Sequence, residues 1–145
     1  LQSEADAARA KNVGDAEAAV IQSKGEAQAE SNYYLAHFEY VQSKYEASNE
    51  RIFWMIDNLP TYPQWRWKSL LLMAKNYAGL QDDFQANYTL DYIIDNAEGA
   101  IVGEAQQFKS DLTRRRAAEE AQAQISDTLE VAPTEMEELE ELDQE

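Results

Sequence analysis

The chain has no cysteine, one histidine, five glycines and three prolines in 145 residues. Without cysteine it has no disulfide, thiolate metal site, iron–sulfur cluster or cysteine nucleophile. With His37 alone it cannot form a multi-histidine zinc site. Basic residues are also scarce. Twelve Lys and Arg face 28 Asp and Glu, a formal charge of −16, which argues against nucleic acid as the main partner. No run of about 18 apolar residues occurs and the mean hydropathy is −0.64, so no membrane-spanning helix is expected. Few Gly and Pro leave little loop material, and Ala, Glu, Gln and Leu dominate, so the fold class predicted is all-α. The chain opens at Leu1 without a basic-then-apolar leader, as expected of a processed protein or a piece of a longer one.

What is present is unevenly placed. Fourteen of the fifteen aromatic residues lie between Tyr33 and Tyr92, and Phe108 is the last. Aromatics bury the most area per side chain, so the core is expected between about 27 and 108. Residues 1–25 are rich in Ala and Glu and read as the remnant of a preceding repeat, two short helices or one broken at Gly14, with Gly25 as a stop. Residues 117–145 hold eleven acids and no base. There Val131-Ala132-Pro133 is expected to break any helix, leaving 125–145 as an acidic, flexible tail. The sharper alternative is a short helix docking through Met136, Leu139 and Leu142.

An internal repeat fills the middle. Leu35-Ala36 recurs as Met73-Ala74, 38 residues on, and Ile56-Asp57-Asn58 as Ile94-Asp95-Asn96, also 38 on. Between them Tyr45-Glu46-Ala47 matches Phe84-Gln85-Ala86 at 39, which implies one extra residue in the second turn. Each unit reads as two helices. Ala29, Tyr33, Ala36 and Tyr40 form one stripe and Tyr45, Ile52, Met55 and Ile56 the next. The second unit carries Trp67, Leu70, Leu71, Ala74, Tyr77 and Ala78, then Ala86, Leu90, Ile93 and Ile94. Gly79 is expected to supply a left-handed cap, and Asp82 or Asp83 to cap the next helix. Pro60 and Pro63 make the linker between units extended.

At these residues the chain resembles the tetratricopeptide repeat. Leu35-Ala36, Gln42-Ser43-Lys44-Tyr45 and Pro60 fit that pattern in the first unit, and Leu72-Met73-Ala74, Tyr77 and Asp83-Phe84 in the second. Ser48 and Asn87 depart from the Ala usual there, Asn32 and Leu70 from the usual early Trp, and the period is about 38 rather than 34. The resemblance covers about half the chain. It implies a right-handed solenoid of antiparallel helix pairs, two units over 26–97 and a capping helix over 98–124. It also implies a concave surface carrying Tyr33, His37, Tyr40, Lys68 and Lys75, suited to an extended peptide or a partner helix. The stretch Trp65 to Asn96 is similar to the last repeat of long tetratricopeptide proteins of Bacteroidota. Some of those belong to the gliding and type IX secretion apparatus. This similarity implies a periplasmic site, or the periplasmic face of the outer membrane, with other proteins as partners in a multi-subunit complex.

Enzyme chemistry finds little support. His37 has no signalled nucleophile or orienting carboxylate, no calcium-loop pattern exists, and no cofactor fingerprint occurs, so no catalytic residue, metal or cofactor is predicted. Gly99 to Gly103 reads as a tight turn followed by close packing, and Arg114-Arg115-Arg116 as a helix C-terminal cap with internal neutralisation. Trp54, Tyr62, Trp65 and Trp67 straddle the linker. They read as packing for the joint between units, with an aromatic protein-binding patch of Trp54, Tyr62 and Trp65 as the alternative site. The function expected is a non-enzymatic scaffold holding protein partners. The alternative is a regulatory or substrate-capture module binding a peptide in the groove.

Overall fold

A computed structural model describes residues 2–142, with side chains from 3 to 130. It contains five helices and, among the described residues, no strand: α1 Gln2–Val41, α2 Tyr45–Asn58, α3 Pro63–Gly79, α4 Asp83–Asn96 and α5 Ala100–Leu142. The chain divides into two units, residues 1–105 and 106–145.

In the first unit, α2 packs on α1 and on α3, and α3 also packs on α4 and α1. The stripes read from the sequence are buried in part: Tyr33, Tyr40, Tyr45, Ile56, Trp67, Tyr77 and Ile94 are only half-buried, and α3 also buries Trp65, Leu72 and Met73 outside its stripe. Ala29, Ala36, Ile52 and Met55 are buried in the first pair, and Leu70, Leu71, Ala74, Ala86, Leu90 and Ile93 in the second. Fully burying one Ile or Leu contributes about 1.5–3 kcal/mol over leaving it in water, so Ile52, Leu90 and Ile93 are major terms. Ala36 and Ala74, 38 residues apart, are both at 0 % exposure.

The repeat offset is 38 throughout, without the extra residue expected in the second turn. Helix α1 ends at Val41 and α3 at Gly79; α2 begins at Tyr45 and α4 at Asp83. The turns repeat bond for bond. Ser43 N donates to Tyr40 O and Lys44 N to Glu39 O; 38 residues later Gln81 N donates to Ala78 O and Asp82 N to Tyr77 O. These are paired 5→2 and 6→1 bonds closing a helix around one left-handed residue. That residue is Ser43 (φ 60°) and Gln81 (φ 63°), not Gly79 as expected. The hydrophobic match of Tyr45 to Phe84 suggested the extra residue. Backbone bonding instead pairs Tyr45 with Asp83, and Ser48 with Ala86. Asp82 accepts from Gln85 N at 3.1 Å and caps α4, whereas Lys44 begins α2 without a side-chain cap.

Gly79 has a different job. A Cβ on it would lie 2.5 Å from the Tyr45 ring, so its bareness admits that ring to the end of α3. Gly25 does the same for Tyr62, whose hydroxyl occupies the space a Cβ would need. It is not a stop, and Gly14 is not a break, because α1 is a single helix of 40 residues. Each interior Gly costs about 1 kcal/mol against Ala, which the surrounding Ala, Glu, Gln and Lys offset through cooperative propagation.

A polar seam that no periodicity signals crosses the helices. The Asn76 amide donates to Ser48 Oγ (2.8 Å) and Asn49 Oδ1 (2.9 Å), and Ser48 Oγ donates to the Ala36 carbonyl (2.7 Å). Ser69 Oγ sits 3.7 Å from Met55 Sδ, and Asn32 Nδ2 donates to the Arg51 carbonyl at 3.0 Å. Arg51 grips Glu39 through Nε and Nη2 at 3.1 and 2.7 Å. These directional bonds set the register that apolar contact alone leaves loose.

In the second unit α5 runs on to Leu142, through the break expected at Val131-Ala132-Pro133 and beyond the end expected near 124. The Arg114–Arg116 run therefore lies inside a helix and not at its C-terminus. Arg114 pairs with Asp111, Arg116 with Glu119 at 3.0 Å, and the Arg115 guanidinium lies 5.8 Å from the Phe108 ring centroid. These partners hold the cations on their own helix. The docking suggested for Met136, Leu139 and Leu142 falls outside the described side chains. In the preceding turn Gly99 is left-handed (φ 82°), which only Gly adopts without strain, while Gly103 lies within α5.

Candidate interaction groove

Three rings ascend one face of α1. Tyr33, His37 and Tyr40 are spaced i, i+4, i+7, which places them on successive turns. Their ring centroids are 6.2 Å apart for Tyr33–His37 and 6.0 Å for His37–Tyr40. Tyr40 continues to Tyr45 at 5.9 Å, and Tyr33 meets Trp65 of α3 at 5.8 Å. Across from them α3 presents Lys68 and Lys75, two turns apart. Lys68 Nζ lies 4.9 Å from the Trp65 centroid, a cation–π contact that fixes its ammonium beside the rings.

The five residues picked from the sequence line one cavity, together with Leu71 and Leu72 beneath and Ile101 and Glu104 from the first turns of α5. All belong to the first unit. Burial, the neighbouring Tyr34 and the Glu104 carboxylate, in that order, push the Tyr33 phenol above its usual range. At neutral pH it is therefore a hydrogen-bond donor. The polar set is two ammonium groups, two phenols, an imidazole and one carboxylate around an apolar floor.

The cavity is about 130 Å³. Small-molecule and cofactor sites run from about 300 Å³ upward, so this one holds a single side chain or chain end and not a whole ligand. No group of three or more His, Asp or Glu residues placed to hold a metal occurs among the described residues. Aromatic faces flanked by ammonium groups can stack on an apolar or aromatic side chain and pair with a carboxylate.

The alternative aromatic patch is not one surface. Trp65 is buried with Ala29 and Met55, and Tyr62 packs against that cluster. Trp54 is exposed and lines a separate cleft of about 560 Å³ between α1 and α2, beside Leu35, Glu39 and Arg51. Trp67 turns to the other side of α3 and meets Tyr92 at 5.9 Å. The sequence reading missed the contributions of Ile101 and Glu104; their only signal was a position just after the Gly99 turn.

No family model matches the chain, and neither a curated protein nor a solved structure does.

Proposed function

We propose that this chain is a non-enzymatic protein–protein interaction scaffold built from tetratricopeptide-like helix pairs, a right-handed solenoid whose groove holds a segment of a protein partner. The observation that carries the reading is the convergence of Tyr33, His37, Tyr40, Lys68 and Lys75 on one cavity of side-chain size. The contacts of α3 support it too: the first helix of the second pair packs on both helices of the first, α1 and α2. The narrower similarity of Trp65 to Asn96 extends the proposal to a place in a larger cell-envelope assembly, such as a secretion or gliding apparatus. A regulatory or substrate-capture module that binds an extended peptide in the same groove is the alternative.

Affinity capture with quantitative mass spectrometry tests the reading. A stoichiometric partner supports the scaffold, and weak recovery of many peptides supports capture. Tyr33→Ala with Tyr40→Ala should abolish recovery with helicity retained, since each Tyr offers large contact area at low entropy cost. Lys68→Glu with Lys75→Glu reports the ligand's charge: weaker binding means an acidic segment in the groove. Recovery untouched by both pairs refutes the groove as the binding surface.

A further inference from the structure

Helix α1 has a second stripe that its own unit leaves mostly open; within it Tyr34 meets the Trp65 ring at 5.9 Å and Leu35 edges the cleft beside Trp54. Val13, Val20, Ala27, Tyr34 and Val41 recur every seven residues, with Phe38 and Leu35 beside them, all exposed and the large ones at 50–65 %. The buried stripe of Ala29, Asn32, Tyr33 and Ala36 lies on another face. The internal repeat shows what kind of surface this is. Ser31, Leu35 and Phe38 stand 38 residues before Ser69, Met73 and Asn76, which are 0, 5 and 0 % exposed and covered by α2. The same face is a buried interface in α3 and stays largely exposed in α1. Gly14 adds an independent sign. It sits inside a helix, where Gly is unfavourable, and has no atom within 4 Å of a Cβ placed on it. No contact among the described residues accounts for it.

We propose that the occupant is the α1 helix of a second copy, paired antiparallel about Val20 and Ile21 as a two-fold dimer. Seven-residue spacing of apolar positions is the pattern of paired helices, and a two-fold axis lets one stripe serve both partners. Charge selects the orientation. Glu17 and Lys24 interrupt the seam seven residues apart. A parallel pair sets Glu17 beside Glu17 and Lys24 beside Lys24. The antiparallel pair sets each Glu17 against the Lys24 of the other copy. In that register Ala7, Ala10 and Gly14 of one copy lie across from Tyr34, Ser31 and Ala27 of the other, small residues under larger ones. Charge also selects the helix. Positions 2–24 hold four acids and three bases, nearly neutral, whereas 117–145 hold eleven acids and no base and repel a like copy.

Sedimentation velocity of the full chain over rising concentration tests the dimer. The expected result is passage from 16.5 kDa to twice that mass. Glu17→Lys or Lys24→Glu should each weaken the dimer about tenfold, because two attractive contacts become two repulsive ones. The two changes together on one chain should restore it. Gly14→Leu should raise helix content yet weaken association, a split that a purely local role for Gly14 does not produce. A chain that stays monomeric overturns the proposal and leaves the face to a different helix. A dimer indifferent to the single charge reversals overturns the antiparallel pairing, since a parallel pair already places like charges together.

Discussion

The two turns of the repeat invite an exchange of caps. Lys44 and Asp82 occupy the same position with nearly the same backbone, φ/ψ of −88°/63° and −94°/74°. Asp82 accepts from the N–H three residues on, and Lys44 makes no such bond. With Lys44→Asp, the new carboxylate should therefore accept from the Ala47 N–H with no backbone movement. An N-cap of this type contributes about 1 kcal/mol, range about 0.5–2. Replacing a cation by an anion at a helix N-terminus adds about 0.3–1 kcal/mol, screened here by exposure and opposed by Glu46 in the first turn. The net expected is about 1 kcal/mol of stabilisation. For a chain of this size that is a rise in Tm of about 3–4 °C. Asp82→Lys should lose a similar amount. Because the sites lie in different turns, the double exchange should return close to the starting stability. Urea unfolding followed by far-ultraviolet circular dichroism measures all three, with an unchanged m-value showing that only stability moved. If Lys44→Asp is neutral or destabilising while Asp82→Lys destabilises, the two turns are not equivalent and the 38-residue frame is wrong.

Two further outcomes test the packing and the ring chemistry. Gly79→Ala should destabilise by about 1–3 kcal/mol although Ala is the better helix former by about 1 kcal/mol, because its Cβ enters the Tyr45 ring; Tyr45→Ala in the same chain should reverse the sign, as denaturation will show. Burial raises both phenols first; Tyr34 and then the Glu104 carboxylate add to it at Tyr33, and the Asp82 carboxylate at Tyr77. Their folded forms hold the proton more tightly than an unfolded tyrosine near pH 10, so this contribution is full below about pH 10 and is lost as pH rises through the raised values. Ultraviolet titration should show two late-ionising tyrosines, removed in turn by Tyr33→Phe and Tyr77→Phe. Eight tyrosines ionising together would refute it.

The helical pairs and most of their apolar stripes were legible because each rests on spacing along one helix, whereas setting Lys68 and Lys75 of α3 opposite the rings of α1 was implied only by the repeat resemblance. Helical period places Tyr33, His37 and Tyr40 together without knowledge of anything else. The misses share a cause: each depends on a partner distant in sequence. Gly25 and Gly79 read as stops until Tyr62 and Tyr45 are seen to occupy the space their missing Cβ atoms leave. Asn76 carried no signal of its own, because its acceptors Ser48 and Asn49 lie 28 and 27 residues earlier. Ser43 and Gln81 in the left-handed region went unread because Gly is the usual signal there, and here two backbone bonds per turn hold a residue with a Cβ in that conformation. Pro133 read as a terminator on its local preference alone, and the helix passes through it.

The unbroken course of α1 fixes direction as well as length. Gln2 to Lys24 runs about 35 Å at about 1.5 Å per residue, and each residue turns the helix by about 100°. Anything joined ahead of this stretch is held at a set distance and a set azimuth from the groove. Inserting one residue at Ser23 would advance it by only about 1.5 Å yet swing it by about 100°, so that it faces a different side. Seven inserted residues would bring it back to within about 20° of its first bearing, about 10 Å farther out. Phase, and not reach, is what this helix transmits, and a change of a single residue in its length is a larger mechanical event than a change of seven.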